Sequence, residues 1–220
     1  MPDTLNISEI FRSIQGETSY AGLPCTFVRL AGCNLDCPWC DTGYARDPED
    51  GTPMSPEDAA RQVAEHGTRL VCITGGEPLL QGPPVARLAG LLLRTGRTVL
   101  LETNGTQDLS AVPGAVVTIM DVKCPSAGHP EAMPLPGNLS WLRETDELKF
   151  IVADRTDFDW AVGYIREHAL DAAPGVEGPR LLMGAVEGRL PPADLAAWIL
   201  DTGLEIRLQL QLHKLLWPDQ

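Results

Sequence analysis

TFVRLAGCNLDCPWCDT (residues 26–42) joins an apolar run directly to three closely spaced cysteines. The run at 26–30 is rich in β-branched and aromatic residues and stops at Ala31-Gly32, which predicts a strand that ends in a loop. The same grammar continues downstream. Ser55 can accept hydrogen bonds from a first helical turn, Pro56 suits its first position, and Gly67 permits a left-handed exit, so a helix is expected over 55–67. Apolar runs at 70–74, 98–101, 116–120, 148–152, 180–183 and 206–212 predict further strands, and 84–95, 156–168 and 192–202 predict further helices. Strands alternating with helices imply a parallel sheet. Six or seven strands in 220 residues are too few for a complete eight-fold barrel, so an open or incomplete βα barrel is expected, with functional groups where strands end and loops begin.

A chain of 220 residues fits one domain, 1–220. Seventeen Lys and Arg against thirty Asp and Glu leave a formal charge of −13, which repels a phosphate backbone, so no nucleic-acid partner is expected. No stretch reaches the roughly 18 apolar residues of a spanning helix, so no membrane partner is expected either. The start Met1-Pro2-Asp3-Thr4 lacks the basic and apolar regions of a leader, which places the protein in the cytoplasm with its six cysteines reduced.

Cys33, Cys37 and Cys40 are separated by three and two residues. Three thiolates so close can share a metal centre: zinc with a fourth ligand or an open position, or a 4Fe-4S cluster that keeps one iron open. Cys25 and Cys72 border or lie inside strands and read as small buried hydrophobes, while Cys124 is a distant candidate for a fourth ligand.

The cysteine spacing, Trp39 just before the third cysteine, and Gly75-Gly76-Glu77-Pro78 closing the next strand resemble the radical S-adenosylmethionine (SAM) superfamily. EIFRSIQGETSYAGLPCTFVRLAGCNLDCPWCDT, ITGGEPLLQ, LETNGT, MDVKCPSAG, ELKFIV and LQLQLHKLLW, spread over nearly the whole chain, are similar to the 7-carboxy-7-deazaguanine synthase family within it. The resemblance implies a modified, incomplete (βα) barrel of about six strands, of radical SAM type. It also implies conversion of 6-carboxy-5,6,7,8-tetrahydropterin to 7-carboxy-7-deazaguanine, with ring contraction, loss of ammonia and regeneration of SAM.

By the same resemblance, Cys33, Cys37 and Cys40 hold a 4Fe-4S cluster whose open iron chelates SAM, and Thr42 is a ligand to magnesium. Trp39, Cys40, Asp41, Gly75, Gly76, Glu77, Asp121, Val122 and Lys123 would contact SAM, the glycines by letting backbone approach closely. Ile14, Gln15, Gly16, Glu17, Arg29, Thr74 and His213 would contact substrate. A pterin edge offers donors and an acceptor that a carboxylate and an amide can pair, and a guanidinium binds a carboxylate bidentately. Glu102, Thr103 and Asn104 suit SAM or a plain polar turn equally. Alternation places Gln209, Gln211 and His213 on one face of the last strand, opposite Leu208, Leu210 and Leu212. His66, His129 and His168 carry no signal.

The chain departs from the family in one place, where Met183-Gly184-Ala185-Val186 replaces a Gln-Pro pair that contacts SAM. Only four residues follow Leu216, so no contact from a longer tail is expected. An electron donor such as a flavodoxin or ferredoxin and a homodimer are implied partners. The rival readings are a radical SAM activase that installs a glycyl radical on a partner protein, and a zinc-stabilised binding module.

Overall fold

The computed structural model describes residues 3–171 and 178–218; Met1 and Pro2, part of the start on which the expectation about a leader was based, lie outside the described residues. In chain order the elements are β1 (Leu5–Ile14), β2 (Pro24–Leu30), β3 (Thr52–Met54), α1 (Pro56–Glu65), β4 (Leu70–Gly75), α2 (Gly82–Arg94), β5 (Thr98–Thr103), β6 (Val117–Val122) and the one-turn α3 (Pro136–Leu139). They continue with β7 (Glu147–Val152), α4 (Arg155–Glu167), β8 (Arg180–Ala185), α5 (Pro192–Thr202), β9 (Ile206–Gln209) and α6 (Leu212–Leu216). Among the described residues one sheet runs in the order β3-β1-β2-β4-β5-β6-β7-β8-β9. Its strands from β2 through β4 to β9 are parallel, β1 is antiparallel to β2, and β3 is antiparallel to β1. The sheet leaves β3 and β9 as free edges, an incomplete barrel.

Side chains alternate across each parallel strand and so divide the sheet into two faces. Val28 and Leu30, Val71 and Ile73, Val99 and Leu101, Met120 and Val122, and Leu148 and Phe150 point outward into one core with Val63, Leu88, Leu92, Phe158 and Ile165 of the helices. The intervening residues point inward. Towards the N-terminal ends of the strands they are apolar, with Cys25, Leu70, Cys72, Leu100, Val117 and Ile119 forming a second, smaller cluster. Towards the C-terminal ends they become Arg29, Thr74, Glu102, Asp121 and Lys149. The inner face thus has an apolar floor under a charged layer.

The seven parallel strands are the ones expected from apolar runs; β1 and β3 were not. In β1 the pairing with β2 slips between Ile7 and Glu9, where Ser8 is an extra residue, and this bulge breaks the period-2 pattern that marks a strand. Ile14 ends β1, and Gln15, Gly16 and Glu17 begin the loop of its hairpin with β2. A second correction concerns the last strand, which stops at Gln209, not at residue 212. Leu212 and His213 lie in α6, so alternation does not orient His213. Glu102 and Thr103 belong to β5 itself, and only Asn104 lies beyond it.

Candidate active site

A cavity of about 810 Å³ opens above the charged layer. Ile14, Gln15, Gly16, Glu17, Arg29, Thr74 and His213 all line it, as do Cys33, Cys37, Trp39, Cys40, Asp41 and Thr42 from the loop after β2. Gly75, Gly76, Asp121, Lys123 and the Glu102-Thr103-Asn104 segment complete the expected set. Two expected residues are absent from the wall. Val122 is fully buried in the outer core, and Glu77, also fully buried, lies behind the wall.

Glu77 joins two strand ends. Its carboxylate accepts from the backbone N–H of Leu79 at 2.9 Å and of Asn104 at 2.6 Å, and from Thr103 Oγ1 at 2.8 Å. Burial pushes its pKa up, against those hydrogen bonds. Gly75 and Gly76 also prove structural. A Cβ on Gly75 would strike the Leu30 carbonyl, and one on Gly76 would strike the Gly32 carbonyl and approach Cys33 Cβ at 2.8 Å. Absence of side chains here seats the end of β4 under the cysteine loop, where Gly76 N donates to Leu30 O at 3.1 Å and Glu77 N to Gly32 O at 2.8 Å. Both glycines also line the cavity.

Glu17 is the hub of the charged layer. Its Oε2 accepts from Lys149 Nζ at 2.9 Å and from Gln209 Nε2 at 3.1 Å, and its Oε1 from Gln211 Nε2 at 2.7 Å. Burial alone would raise the pKa, but the Lys149 cation and these hydrogen bonds prevail and bring it from 4.5 down to about 2. Lys149 Nζ also lies 3.5 Å from Asp121 Oδ2, which is 2.9 Å from Lys123 Nζ. Burial opposes charge on Lys149, yet the two carboxylates hold its pKa well above the usual lysine value. Asp121 is likewise depressed, because its two lysines outweigh burial. Gln15 Nε2 and Asp121 Oδ1 are buried, lack a partner among the described residues, and belong to side chains of the cavity wall.

Gln15 Oε1 accepts from Glu17 N at 3.0 Å, which fixes the amide beside the carboxylate. Leu212 N donates to Gly16 O at 2.9 Å, docking α6 onto this loop, and a Cβ on Gly16 would collide with His213 Nδ1. Across the cavity, Arg29 pairs in register with Glu9 on β1 and Thr74 on β4, and Thr74 Oγ1 donates to Glu102 Oε2 at 2.7 Å. Lys149, Glu9 and Tyr44 line the cavity without having been expected there. Lys149 did carry a signal, a lone charge inside the apolar run LKFIV, the same signal as Arg29 in TFVRL.

The cysteine loop is tethered to its surroundings by backbone and amides. Cys33 N donates to Arg46 O at 2.9 Å, Asn104 Nδ2 to Asn34 Oδ1 at 3.0 Å, and Asn34 Nδ2 to Thr106 Oγ1 at 3.0 Å. His129, without a signal in the sequence, accepts from Asp36 N at 3.2 Å. The three thiols face one cavity, but among the described residues no three His, Cys, Asp or Glu side chains surround a common point. A mononuclear zinc needs its sulfurs about 2.3 Å from a single centre. A 4Fe-4S cluster takes each thiolate on a separate iron, so three cysteines of one loop facing one cavity can hold it without converging on a point. Burial pushes the Cys33 and Cys37 thiols up, so loading a metal centre there displaces protons. Cys124 is buried in the outer core, away from this loop, and Cys25 and Cys72 belong to the apolar floor. Trp39 stacks under Arg189, whose guanidinium carbon is 5.1 Å from the ring centre. Ala185 and Val186, from the segment that departs from the Gln-Pro pattern, still reach the wall.

No helix among the described residues is long and apolar enough to cross a membrane. Residues 28–118, which hold the cysteine loop and the two glycines, match the model of the radical SAM superfamily. A solved structure of QueE from Escherichia coli superposes with a TM-score of 0.71 at 21% identity, covering 94% of each chain, and supports the fold. The 7-carboxy-7-deazaguanine synthase of Chlorobaculum tepidum is 44% identical over 98% of this chain and 96% of its own. That of Koribacter versatilis is 40% identical over 98% of both. With likeness of this degree from end to end, the chain belongs to the 7-carboxy-7-deazaguanine synthase family of radical SAM proteins.

Proposed function

We propose that this single-domain protein converts 6-carboxy-5,6,7,8-tetrahydropterin to 7-carboxy-7-deazaguanine, contracting the ring and releasing ammonia, in the biosynthesis of 7-deazapurines. The observation that carries the reading is one cavity lined at once by Arg29, by the Gln15 and Glu17 pair, and by the three cysteines of the loop after β2. Cys33, Cys37 and Cys40 would hold the 4Fe-4S cluster, which together with SAM would supply the radical chemistry.

The residues of the chain bind and orient. Glu17, kept ionised by Lys149, accepts N–H groups from the pterin edge, while Gln15 Nε2 offers a donor to its carbonyl. A site built from such groups rejects heterocycles that leave them unpaired. Arg29 takes the substrate carboxylate, Thr74 and His213 contact the substrate, and Thr42 would hold magnesium. Trp39, Cys40, Asp41, Gly75, Gly76, Asp121 and Lys123 surround SAM, with Asp121 Oδ1 as a free acceptor. Glu77 and Val122 act only through backbone or through the wall they support. The apolar floor beneath seals the site from water on that side. The protein works in the cytoplasm as a homodimer and receives electrons from a flavodoxin or ferredoxin.

The test is anaerobic reconstitution with iron and sulfide, reduction, and incubation with SAM and 6-carboxytetrahydropterin, followed by mass spectrometry. 7-Carboxy-7-deazaguanine in large excess over SAM consumed is the expected result. Deoxyadenosine without the deazaguanine would overturn the substrate assignment.

A further inference from the structure

The bulge at Ser8 sets Glu9 directly opposite Arg29 on the cavity face of β1 and β2. An unbroken register would put Ser8 there and turn Glu9 towards the helix-covered face beside Val28, where an unpaired carboxylate is costly. The bulge therefore re-aims one side chain, as bulges beside functional sites do. Glu9 Oε1 accepts from Arg29 Nε at 2.8 Å and from Tyr44 Oη at 2.6 Å. The Arg29 guanidinium carbon is 5.6 Å from the Phe11 ring centre and 5.8 Å from that of Tyr44, and Phe11 is itself stacked on Phe27 at 5.1 Å. Nε and the flat faces of the guanidinium are thus engaged by protein, whereas Nη1 and Nη2 have no hydrogen-bonding partner among the described residues.

We infer that Glu9 and Tyr44 are positioning residues that hold Arg29 by Nε and by its face, keeping the Nη1/Nη2 fork presented for the carboxylate of the substrate. The inference rests on the proposed role of Arg29 as the reader of that carboxylate. A free arginine loses rotamer freedom when it docks a ligand, and a pre-oriented one has already lost it during folding. Glu9 also repels a second anion. Its side chain is 38% exposed and shares its oxygen with Tyr44, so solvent screens that repulsion and orientation prevails.

Anaerobic calorimetry with 6-carboxytetrahydropterin and with tetrahydropterin, which lacks the carboxylate, tests this in wild type, Glu9→Ala, Glu9→Gln, Tyr44→Phe and Arg29→Ala. Glu9→Ala is expected to weaken the carboxylated ligand about tenfold, on the order of one hydrogen bond to a charged group, and to leave the other within about twofold. Glu9→Gln, which retains the acceptor oxygen, should recover most of that loss, and Tyr44→Phe should cost about threefold on the carboxylated ligand alone. In turnover the change should fall on KM with kcat nearly constant. Equal weakening of both ligands would reduce Glu9 to a structural residue, and tighter binding in both Glu9 variants would show that repulsion dominates; either overturns the inference. If Glu9→Ala does not fold, Glu9→Gln and Tyr44→Phe must still separate the two ligands. If Arg29→Ala binds the carboxylated ligand as wild type does, the role proposed for Arg29 itself has failed, a result distinct from failure of its positioning.

Discussion

The charged layer at the strand ends and the cysteine loop above it face the same cavity but are built on opposite terms. Glu17, Lys149, Asp121 and Lys123 pair with one another through contacts of 2.9 to 3.5 Å, which leaves Asp121 Oδ1 as the one buried oxygen of these four side chains without a partner among the described residues. The thiols of the loop have little to hold: Cys33 Sγ accepts one long bond from Leu35 N at 3.4 Å, and Cys40 Sγ lies 3.6 Å from Thr42 Oγ1. One region is preorganised by its own ions; the other is held in place by backbone and awaits what it binds. Damage to the first should therefore register in stability and damage to the second in activity.

The sharpest way to break this contrast is Cys37→Ala, which should abolish turnover and the iron signal while leaving the melting temperature nearly unchanged, because Cys37 is half-buried in a loop. A large drop in melting temperature would show that the loop carries the fold. Lys149→Met should do the reverse first. It leaves the buried Glu17 carboxylate without its cation while Asp121 keeps Lys123, at a cost on the order of 3 to 5 kcal/mol, or roughly 6 to 20 °C in a domain of this size, as thermal unfolding of the variant would show. Gly76→Ala lies between the regions, since its Cβ must move the Gly32 carbonyl and Cys33. An overpacking cost of about 1 to 3 kcal/mol is expected together with lower iron occupancy, and iron analysis beside calorimetry would reveal whether the two fall together.

The smallest effect is a pH dependence. Glu17 has a folded-state pKa near 2 against 4.5 ordinarily, so its ionisation contributes stability in full above pH 4.5 and loses it as the pH falls from there towards 2. Relative to wild type, Glu17→Gln should be destabilised at pH 7, with the gap narrowing between pH 4.5 and 2. A gap that stays constant with pH would mean that Lys149 does not hold Glu17 in its charged form.

Most of the sheet was legible because its parallel strands are covered on one face by helices and on half of the other by the apolar floor, so each reads as a short apolar run ended by Gly or polar residues. β1 was not legible. LNISEIFRSI changes phase at Ser8, and the residue that breaks the pattern is the one that aims Glu9 at Arg29. The end of β9 was over-read for the complementary reason: the alternation at Leu208, Leu210 and Leu212 continues in sequence, but the chain turns after Gln209 to dock on Gly16. In the site, the cysteines and the paired glycines stood out by spacing, although the spacing did not show how tightly the glycines pack on the backbone of Leu30 and Gly32. Glu77 looked like a binding residue because it follows them, and is instead a buried tie between β4 and β5. Glu9 and Tyr44 could not have been found, since cross-strand partners of an unrecognised strand leave no local trace.

The bonds that complete Glu17 also set a timetable for the nascent chain. Its partners Gln209 and Gln211 lie 192 and 194 residues further along, so this side of the cavity is assembled from segments made at widely separated moments of synthesis. Strands β2 to β8 can pair neighbour by neighbour as they emerge, each closing a modest loop, whereas the closure onto Gln15, Gly16 and Glu17 must wait. A ribosome-bound intermediate would carry the cysteine loop and most of the sheet with this side of the cavity unfinished, and the cavity would close in one late step.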